Sequence, residues 1–460
     1  MAASEETEDS GPFVERVAAL DIGKAGLVAC VRVPSETGSS RRRQAVSEWA
    51  TMTSDLLTLA DHLVCQGVEL VVMEATGDYW RSPYYVLEAA GLRCWLVNAR
   101  HVKHLPGRAK TDRLDAVWLC KVAERGMCSP SYVPPRPLRQ LRLFTRYRTA
   151  AVRERAREMN RVEKLLEDTQ IKLSVVASDI FGVSGRAMLD ALVAGERNPA
   201  VLAELARSRM RPKKAELARA FQGSFEDHHR LLLGMMLGHI DRLTADITTL
   251  DEQITAALAE IEDNTGPRAD PGTGEIPPGA PTVDHGDGQP GAGGLSLAER
   301  LAEIPGIGLP TAHAIIAEIG VDVAAFPTPG HLASWAGLAP KTRESAGRAK
   351  PSRTAKGNRY LAGALGQVVL ALARTQTFYG ARYRRIRASR GPQKAIVAVS
   401  RSVLTTIWHL LHDPNARYHD LGPDYYQRRK DTRKQAAGHI KRLERLGFQV
   451  TLTPPEAPAT

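Results

Sequence analysis

"RVAALDIGKAGLVACVRVP", residues 16–34, reads as an apolar strand, a short turn containing Gly and Lys, and a second apolar strand: a β-hairpin whose first strand ends at Asp21. Two further stretches, "GVELVVMEATGDYW" (67–80) and "LRCWLVNARHV" (92–102), each read as a buried strand running into a loop. Helical patterns such as "SDLLTLADHLVCQ" and "SPYYVLEAAG" separate them. Alternation of this kind predicts an α/β layer, helices packed on a mixed sheet, ending near the Pro-rich "SPSYVPPRP" at 129–137.

Beyond that point the pattern turns helical. "LRQLRLFTRYRTAAVRERAREMNRVEKLL" is dense in Arg, and a later seam of Ile240, Leu243, Ile247, Leu250, Ile254, Ala257 and Ile261 alternates spacings of three and four. That seam suits either a coiled coil with another copy or one amphipathic helix packed on its own domain. "EDNTGPRADPGTGEIPPGAPTVDHGDGQPGAGG" holds almost no large apolar residue, so it is expected to be a disordered linker. A last globular part follows, and "YYQRRKDTRKQAAGHIKRLERLGF" reads as a basic helix or arm. The fold class expected is α/β plus α. Its parts are a mixed-sheet domain over 14–131, a helical and coiled-coil region over 132–262, a linker over 263–297, a mainly helical domain over 298–412 and an arm over 413–460.

At 460 residues the chain is long enough for two or three cored domains, and its 43% hydrophobic content is that of an ordinary globular protein. No apolar run long enough to span a bilayer stands out, and the opening "MAASEETEDSGPF" is acidic rather than basic then apolar, so a cytoplasmic protein is expected. A formal net charge of +11 suits a polyanionic partner, nucleic acid first. The five cysteines, Cys30, Cys65, Cys94, Cys120 and Cys128, form no CxxC pair and are expected to be reduced and mostly buried.

The candidate chemistry is carboxylate chemistry. In "GRAKTDRLDAVWLCK" (107–121) Asp112 and Asp115 stand one helical turn apart among Arg and Lys, where two negative charges repel unless a cation sits between them. Asp21 ends one strand pattern and Glu74 ends another. Carboxylates at strand ends and a helix start can meet at one edge of a sheet and hold Mg²⁺ or Mn²⁺ through hard oxygen ligands. Taken singly, each reads first as a cap or a solvated charge and only then as a ligand. "HVKH" (His101, His104) and "DHHR" (His228, His229) lack a full ligand set for zinc, and Tyr79 and Trp80 read as packing residues before base-stacking ones.

"LDIGK", "MEATGDYW" and "KTDRLDA", in this order and spacing, resemble the N-terminal domain of the DEDD transposases of bacterial insertion sequences, a domain similar to the RuvC Holliday-junction resolvase. That family also takes in the Piv-type DNA invertases and the bridge-RNA-guided recombinases. The resemblance implies a RuvC or RNase H-like fold and makes Asp21, Glu74, Asp112 and Asp115 a metal-binding tetrad. "LAEIPGIGLPTAHAIIAEIG" (301–320) reads as a helix, a Gly-containing hairpin and a second helix, a shape able to offer backbone N–H groups to a phosphate or simply a tight packing turn. "HLASWAGLAPKTRESAGRAKPSRTAKGNRYLAGAL" (331–365) resembles the signature of the same family, a proline-led loop with Ser-X-Gly before a basic Gly-Asn-Arg segment.

By that resemblance Ser345 corresponds to the family's nucleophilic serine; the residues alone would allow Ser352 as well. Arg343, Arg348, Lys350, Arg353, Lys356 and Arg359 surround it as candidate nucleic-acid contacts. The loop reads Ser-Ala-Gly where many relatives have Ser-Gly-Gly, its basic segment is about one residue shorter, and the 263–296 linker is longer than in relatives. The resemblance covers roughly 14–130 and 298–412. It implies a metal-dependent transposase or recombinase forming a covalent phosphoserine intermediate, acting on donor and target duplex DNA, guided by an element-encoded bridge RNA. It also implies a homo-oligomer, dimer to tetramer, that joins the acidic domain of one subunit to the serine domain of another, in a bacterial cytoplasm, at the nucleoid when acting. Two other readings stand beside it: a RuvC-like nuclease whose tetrad hydrolyses DNA without the serine, and a non-catalytic nucleic-acid-binding protein.

Overall fold

The computed structural model describes residues 14–35, 42–75, 77–98, 112–265, 283–285, 295–340, 344–345, 348–349, 354, 356–428 and 432–451. The chain divides into two compact units, Met1–Pro134 and Pro135–Thr460.

In the first unit the 16–34 hairpin is formed by β1 (Val17–Ile22) and β2 (Gly26–Pro34), antiparallel with Asp21 opposite Val28. The order β3-β2-β1-β4-β5 is completed by β3 (Arg42–Ala50), β4 (Leu70–Glu74) and β5 (Cys94–Val97), with β4 parallel to both β1 and β5. The result is the mixed sheet that the alternation predicts. Side chains of successive strand residues point to opposite faces. Ala18, Leu20, Val71 and Met73 pack on one face in a cluster with Leu56, Leu59 and Leu63 of α1 (Thr53–Cys65) and Tyr84 and Leu87 of α2 (Arg81–Ala89). Val17, Ala19, Leu70 and Val72 pack on the other, against Ala116, Leu119, Cys120 and Ala123 of α3 (Asp112–Glu124). Strands apolar on both faces are the signature of a sheet covered on both sides.

The second unit is mainly helical. A 33-residue helix, α4 (Arg136–Asp168), starts with Pro137 in its first turn and lies against a 39-residue helix, α6 (Asp227–Thr265); α5 (Val183–Ala194) closes the core at their far end. Ile240, Leu243, Ile247, Ile254 and Ile261 of the counted seam are buried, with Leu243 and Ile247 against Ala151 and Val152 of α4. The seam is thus covered by the chain's own antiparallel helix pair, and no self-association through it is required. Arg148 cements the pair through both oxygens of Asp251.

The expected linker is partly ordered: Val283–His285 pairs antiparallel with Ala416–Tyr418. Such a pairing uses only backbone donors and acceptors, so composition does not reveal it. The C-terminal core is built from α7 (Leu297–Ala302), α8 (Leu309–Ile319), α9 (Pro329–Trp335), α10 (Arg359–Leu372), α11 (Phe378–Arg390) and α12 (Pro392–His412). A capping box between Ser296 and Glu299 starts α7, and Gly306, at φ +87°, makes the turn towards α8. Against the expectation that no apolar run of spanning length stands out, α12 passes as a membrane span by length and composition, with a mean hydropathy of 1.2; yet 56% of that window is buried in the fold, as a core helix would be.

All five cysteines are free thiols. Cys30 and Cys120 are wholly buried between β2 and α3, and burial pushes the Cys94 thiol up to about 12. Cys65, at the end of α1, is exposed. Maleimide labelling of the native protein at neutral pH is therefore expected to modify Cys65 first, with Cys30, Cys94 and Cys120 reacting only on unfolding; peptide mapping that finds Cys120 labelled as fast as Cys65 would overturn the packing of α3.

Candidate active site

Strand parity decides where the acidic residues point. Asp21 shares its side of β1 with Val17 and Ala19, and Glu74 shares its side of β4 with Leu70 and Val72, so both belong to the face covered by α3. The register of the two parallel strands ends at Leu20 opposite Met73, one residue short of the carboxylates, so Asp21 and Glu74 follow at neighbouring strand ends. On α3, Asp115 lies four residues before Leu119, on the turn that turns its apolar side to the sheet, and Asp112 is the first residue of the helix. Asp21, Glu74 and Asp115 thus lie towards the face of the sheet that α3 covers, with Asp112 at the start of that helix. Asp21 and Arg113 also line a cleft of about 880 Å³ over the β1–β2 turn and the end of β3.

Glu124, at the other end of α3, sets the helix in place. Its carboxylate accepts from Arg32 Nε at 2.6 Å and faces Arg42 Nε at 2.9 Å, all three side chains less than a fifth exposed. This ion pair holds the last turn of α3 to β2 and β3, and the helix axis then carries Asp112 and Asp115 to the opposite end. Among the described residues no group of three or more His, Cys, Asp and Glu closes on a metal-sized site. The donors are nevertheless carboxylate oxygens of the kind a hard divalent cation takes, and in that chemistry they fit such an ion.

The serine lies in the second unit. Glu344–Ser345 and Arg348–Ala349 form β6 and β7, a minimal antiparallel hairpin in which Ser345 is the register partner of Arg348. An isolated bridge between Pro340 and Thr354 closes its base. Of the candidate phosphate contacts, Lys356 and Arg359 are exposed; Arg343, Lys350 and Arg353 lie outside the described residues, as do His101, His104 and Ser352.

Downstream, the Gly-Asn-Arg segment is anchored by residues that no sequence motif singles out. A Cβ on Gly357 would stand 2.2 Å from the carbonyl of Ala336, so only glycine fits there. The Asn358 Oδ1 caps α10 by accepting from the backbone N–H groups of Tyr360 and Leu361 at 3.0 and 3.2 Å, while its Nδ2 donates to Glu318 Oε2 at 2.6 Å. Glu318, on α8, has a side chain only 2% exposed. It accepts hydrogen bonds from Nε and Nη2 of Arg146 at 2.7 and 2.8 Å, and Arg142 lies 3.5 Å from its Oε2. Arg146 stacks over the Tyr360 ring at 4.2 Å; burial works against its charge, but the Glu318 carboxylate holds its pKa above the ordinary value. One buried carboxylate therefore ties the arginine-rich helix α4 to the cap of α10, which follows the serine loop. An Asn before an apolar helix is a legible cap, whereas nothing local in "AHAIIAEIG" marks Glu318 as the hub.

His229 is buried with Nδ1 accepting from the Glu226 N–H at 3.1 Å, a structural role. Trp80 packs on the first unit's core and edge-on to Tyr84, while Tyr79 is exposed.

Residues 18–171 match a family model for IS110-type DEDD proteins, described as transposase, and residues 298–384 match that of the transposase IS116/IS110/IS902 family, together more than half of the chain. The chain is also similar to the insertion element IS110 43.6 kDa protein of Streptomyces coelicolor, 24% identical over 428 residues that cover 89% of this chain and 96% of the relative.

Glu318→Ala leaves two arginines and an amide without their buried partner and is expected to destabilise the second unit by about 3–5 kcal/mol. Asn358→Ala removes a cap and is expected to cost about 1 kcal/mol. Chemical denaturation checks both; a Glu318→Ala protein within about 0.5 kcal/mol of wild type, the range of ordinary surface changes, would show that the hub carries no net stability.

Proposed function

The chain belongs to the IS110 family of transposases and is a DNA transposase or recombinase of an insertion element, dependent on divalent metal as DEDD transposases are, and from that premise we propose a serine-based mechanism. Ser345 Oγ attacks the scissile phosphorus: the Oγ–P bond forms, one P–O bond to deoxyribose breaks, the departing sugar oxygen takes up a proton, and the serine proton passes to a base or solvent. Attack by the sugar hydroxyl of another strand on the phosphoserine reverses these changes and joins the new partner. The reaction is isoenergetic in bonds, so no external energy source is needed.

The observation that carries this reading is the backbone register of the hairpin, in which Ser345 and Arg348 are partners; a cation beside a serine favours both the alkoxide and the charge developing on phosphate. Arg343, Lys350, Arg353, Lys356 and Arg359 bind neighbouring phosphates in this reading. Asp21, Glu74, Asp112 and Asp115 would hold Mg²⁺, or Mn²⁺ in its place, which when bound supplies Lewis-acid stabilisation of phosphate oxygens. In this reading these carboxylates act by binding and orienting. The family resemblance supports two further elements: a bridge RNA that pairs with donor and target DNA, and a homo-oligomer, dimer to tetramer, in which the carboxylates of one copy and the serine of another serve one phosphodiester.

Incubation of the protein with Mg²⁺, element RNA and labelled recombination-site DNA is expected to give a protein–DNA adduct on a denaturing gel. Ser345→Ala should abolish it, and Asp112→Asn should reduce it by at least a hundredfold, about 2.7 kcal/mol of transition-state stabilisation. Cleavage without an adduct, unchanged in Ser345→Ala but lost in Asp112→Asn, would replace this reading with metal-dependent hydrolysis. An adduct that forms equally well without the RNA would remove the guide from the mechanism.

A further inference from the structure

Between Ser345 and His412 the chain carries 13 Lys and Arg and not one Asp or Glu, although the whole protein has 51 acidic residues among 460. Part of this excess is structural. Arg384 donates to the carbonyls of Ala373 and Thr375 at 3.2 and 2.9 Å, Arg382 to the Tyr426 hydroxyl at 2.5 Å, and Arg385 lies over the Tyr426 ring at 4.0 Å.

Four cations have no such employment. Arg387 and Arg390 on the last turns of α11, and Lys394 and Arg401 on α12, are exposed, and no carboxylate pairs with them among the described residues. Gly391, at φ +84°, makes the sharp turn that joins the two packed helices, so Arg390 and Lys394 flank one corner. Lys394 and Arg401 stand seven residues apart, two helical turns, and so share one side of α12. The opposite side buries Ala395, Val399, Val403 and Leu410. This uncompensated charge repels itself and contributes nothing to packing, which marks it as a surface for a polyanion.

We propose that the outer face of the α11–α12 hairpin, through Arg387, Arg390, Lys394 and Arg401, binds the phosphate backbone of duplex DNA without reading its sequence. A single strand is disfavoured because the aromatic residues that could stack on bases, Phe378, Tyr379 and Tyr383, are buried in the hairpin's core. Of the exposed residues between the cations, Ala388, Ser389, Pro392 and Gln393, Gln393 alone carries a side chain able to make a bidentate base-edge pair, so phosphate contact dominates this face. Charge on a rigid helix pair suits a stiff, regularly charged duplex, and DNA is this enzyme's substrate. The assignment rests on that substrate and not on the serine chemistry.

The test measures the salt dependence of binding by the full-length protein to a 30-base-pair duplex of unrelated sequence, with a duplex RNA and a single strand as further arms. The slope of log affinity against log salt falls by about 0.9 for each phosphate that the protein no longer neutralises, so changing all four residues to Gln is expected to lower it by about 3–4 on duplex DNA. Arg387→Lys, Arg390→Lys and Arg401→Lys together keep the charge and should keep the slope, which separates charge loss from misfolding. An unchanged slope in the Gln variant would overturn the proposal. So would a loss confined to duplex RNA, or a Lys variant as weak as the Gln variant. Failure of the serine mechanism would leave this slope unaffected.

Discussion

The constraint on which the first unit depends is that its central strands are apolar on both faces. Ala18 and Leu20 pack against α1 and α2, while Val17 and Ala19 pack against α3, so no ionised side chain can sit within β1 or β4 without a large desolvation cost. Charge is admitted only where the strand leaves the sheet. Asp21 and Glu74 occupy such ends, on parallel neighbours that emerge together. Because parallel strands run the same way, their C-terminal ends share one edge, and that edge is where α/β sheets present chemistry. The placement of Asp21 and Glu74 is a consequence of burial as much as of the carboxylates themselves.

The second unit solves the opposite problem. It takes a charge into its interior and surrounds it: Glu318 is met by the fork of Arg146 and by the Asn358 amide, with Arg142 nearby. Such an arrangement is worth little against an apolar core of equal volume, but it is intolerant of rearrangement, since each partner left alone is an uncompensated buried group. What it secures is geometry. The cap of α10, four residues after the Thr354 bridge that closes the β6–β7 hairpin, and the middle of α4 are held by one carboxylate. Gly357 adds a steric lock at the same point.

Much of this is legible in the sequence, and the reasons differ by element. The 16–34 hairpin and the buried strands that follow it are readable because apolar runs of strand length between turn residues have few alternative structures. The candidate tetrad can be picked out because carboxylates at the ends of such runs contrast with their surroundings. The Ile and Leu seam of α6 is readable as a buried stripe, but periodicity states only that a face is covered, and what covers it is α4 of the same chain. The hub at Glu318 is illegible because its partners lie 40 and 172 residues away in sequence. The strand at Val283–His285 is hidden because a backbone ladder leaves no mark on composition.

The distribution of charge follows from the same physics. Acids are absent from Ser345 to His412, yet the carboxylates that complete this region's internal bonds are supplied from outside it: Glu318 for Asn358, and Asp420 for the N–H of Phe378. A carboxylate within the tract would sit close to the basic loop and helices and compete with phosphate for each cation. Placing the necessary anions on α8 and beyond α12, buried or at a helix start, meets the fold's hydrogen-bonding needs without lowering the potential at the surface. A protein that must hold DNA through several phosphates can thus be basic at its surface while the anions its packing needs are engaged by hydrogen bonds within the fold.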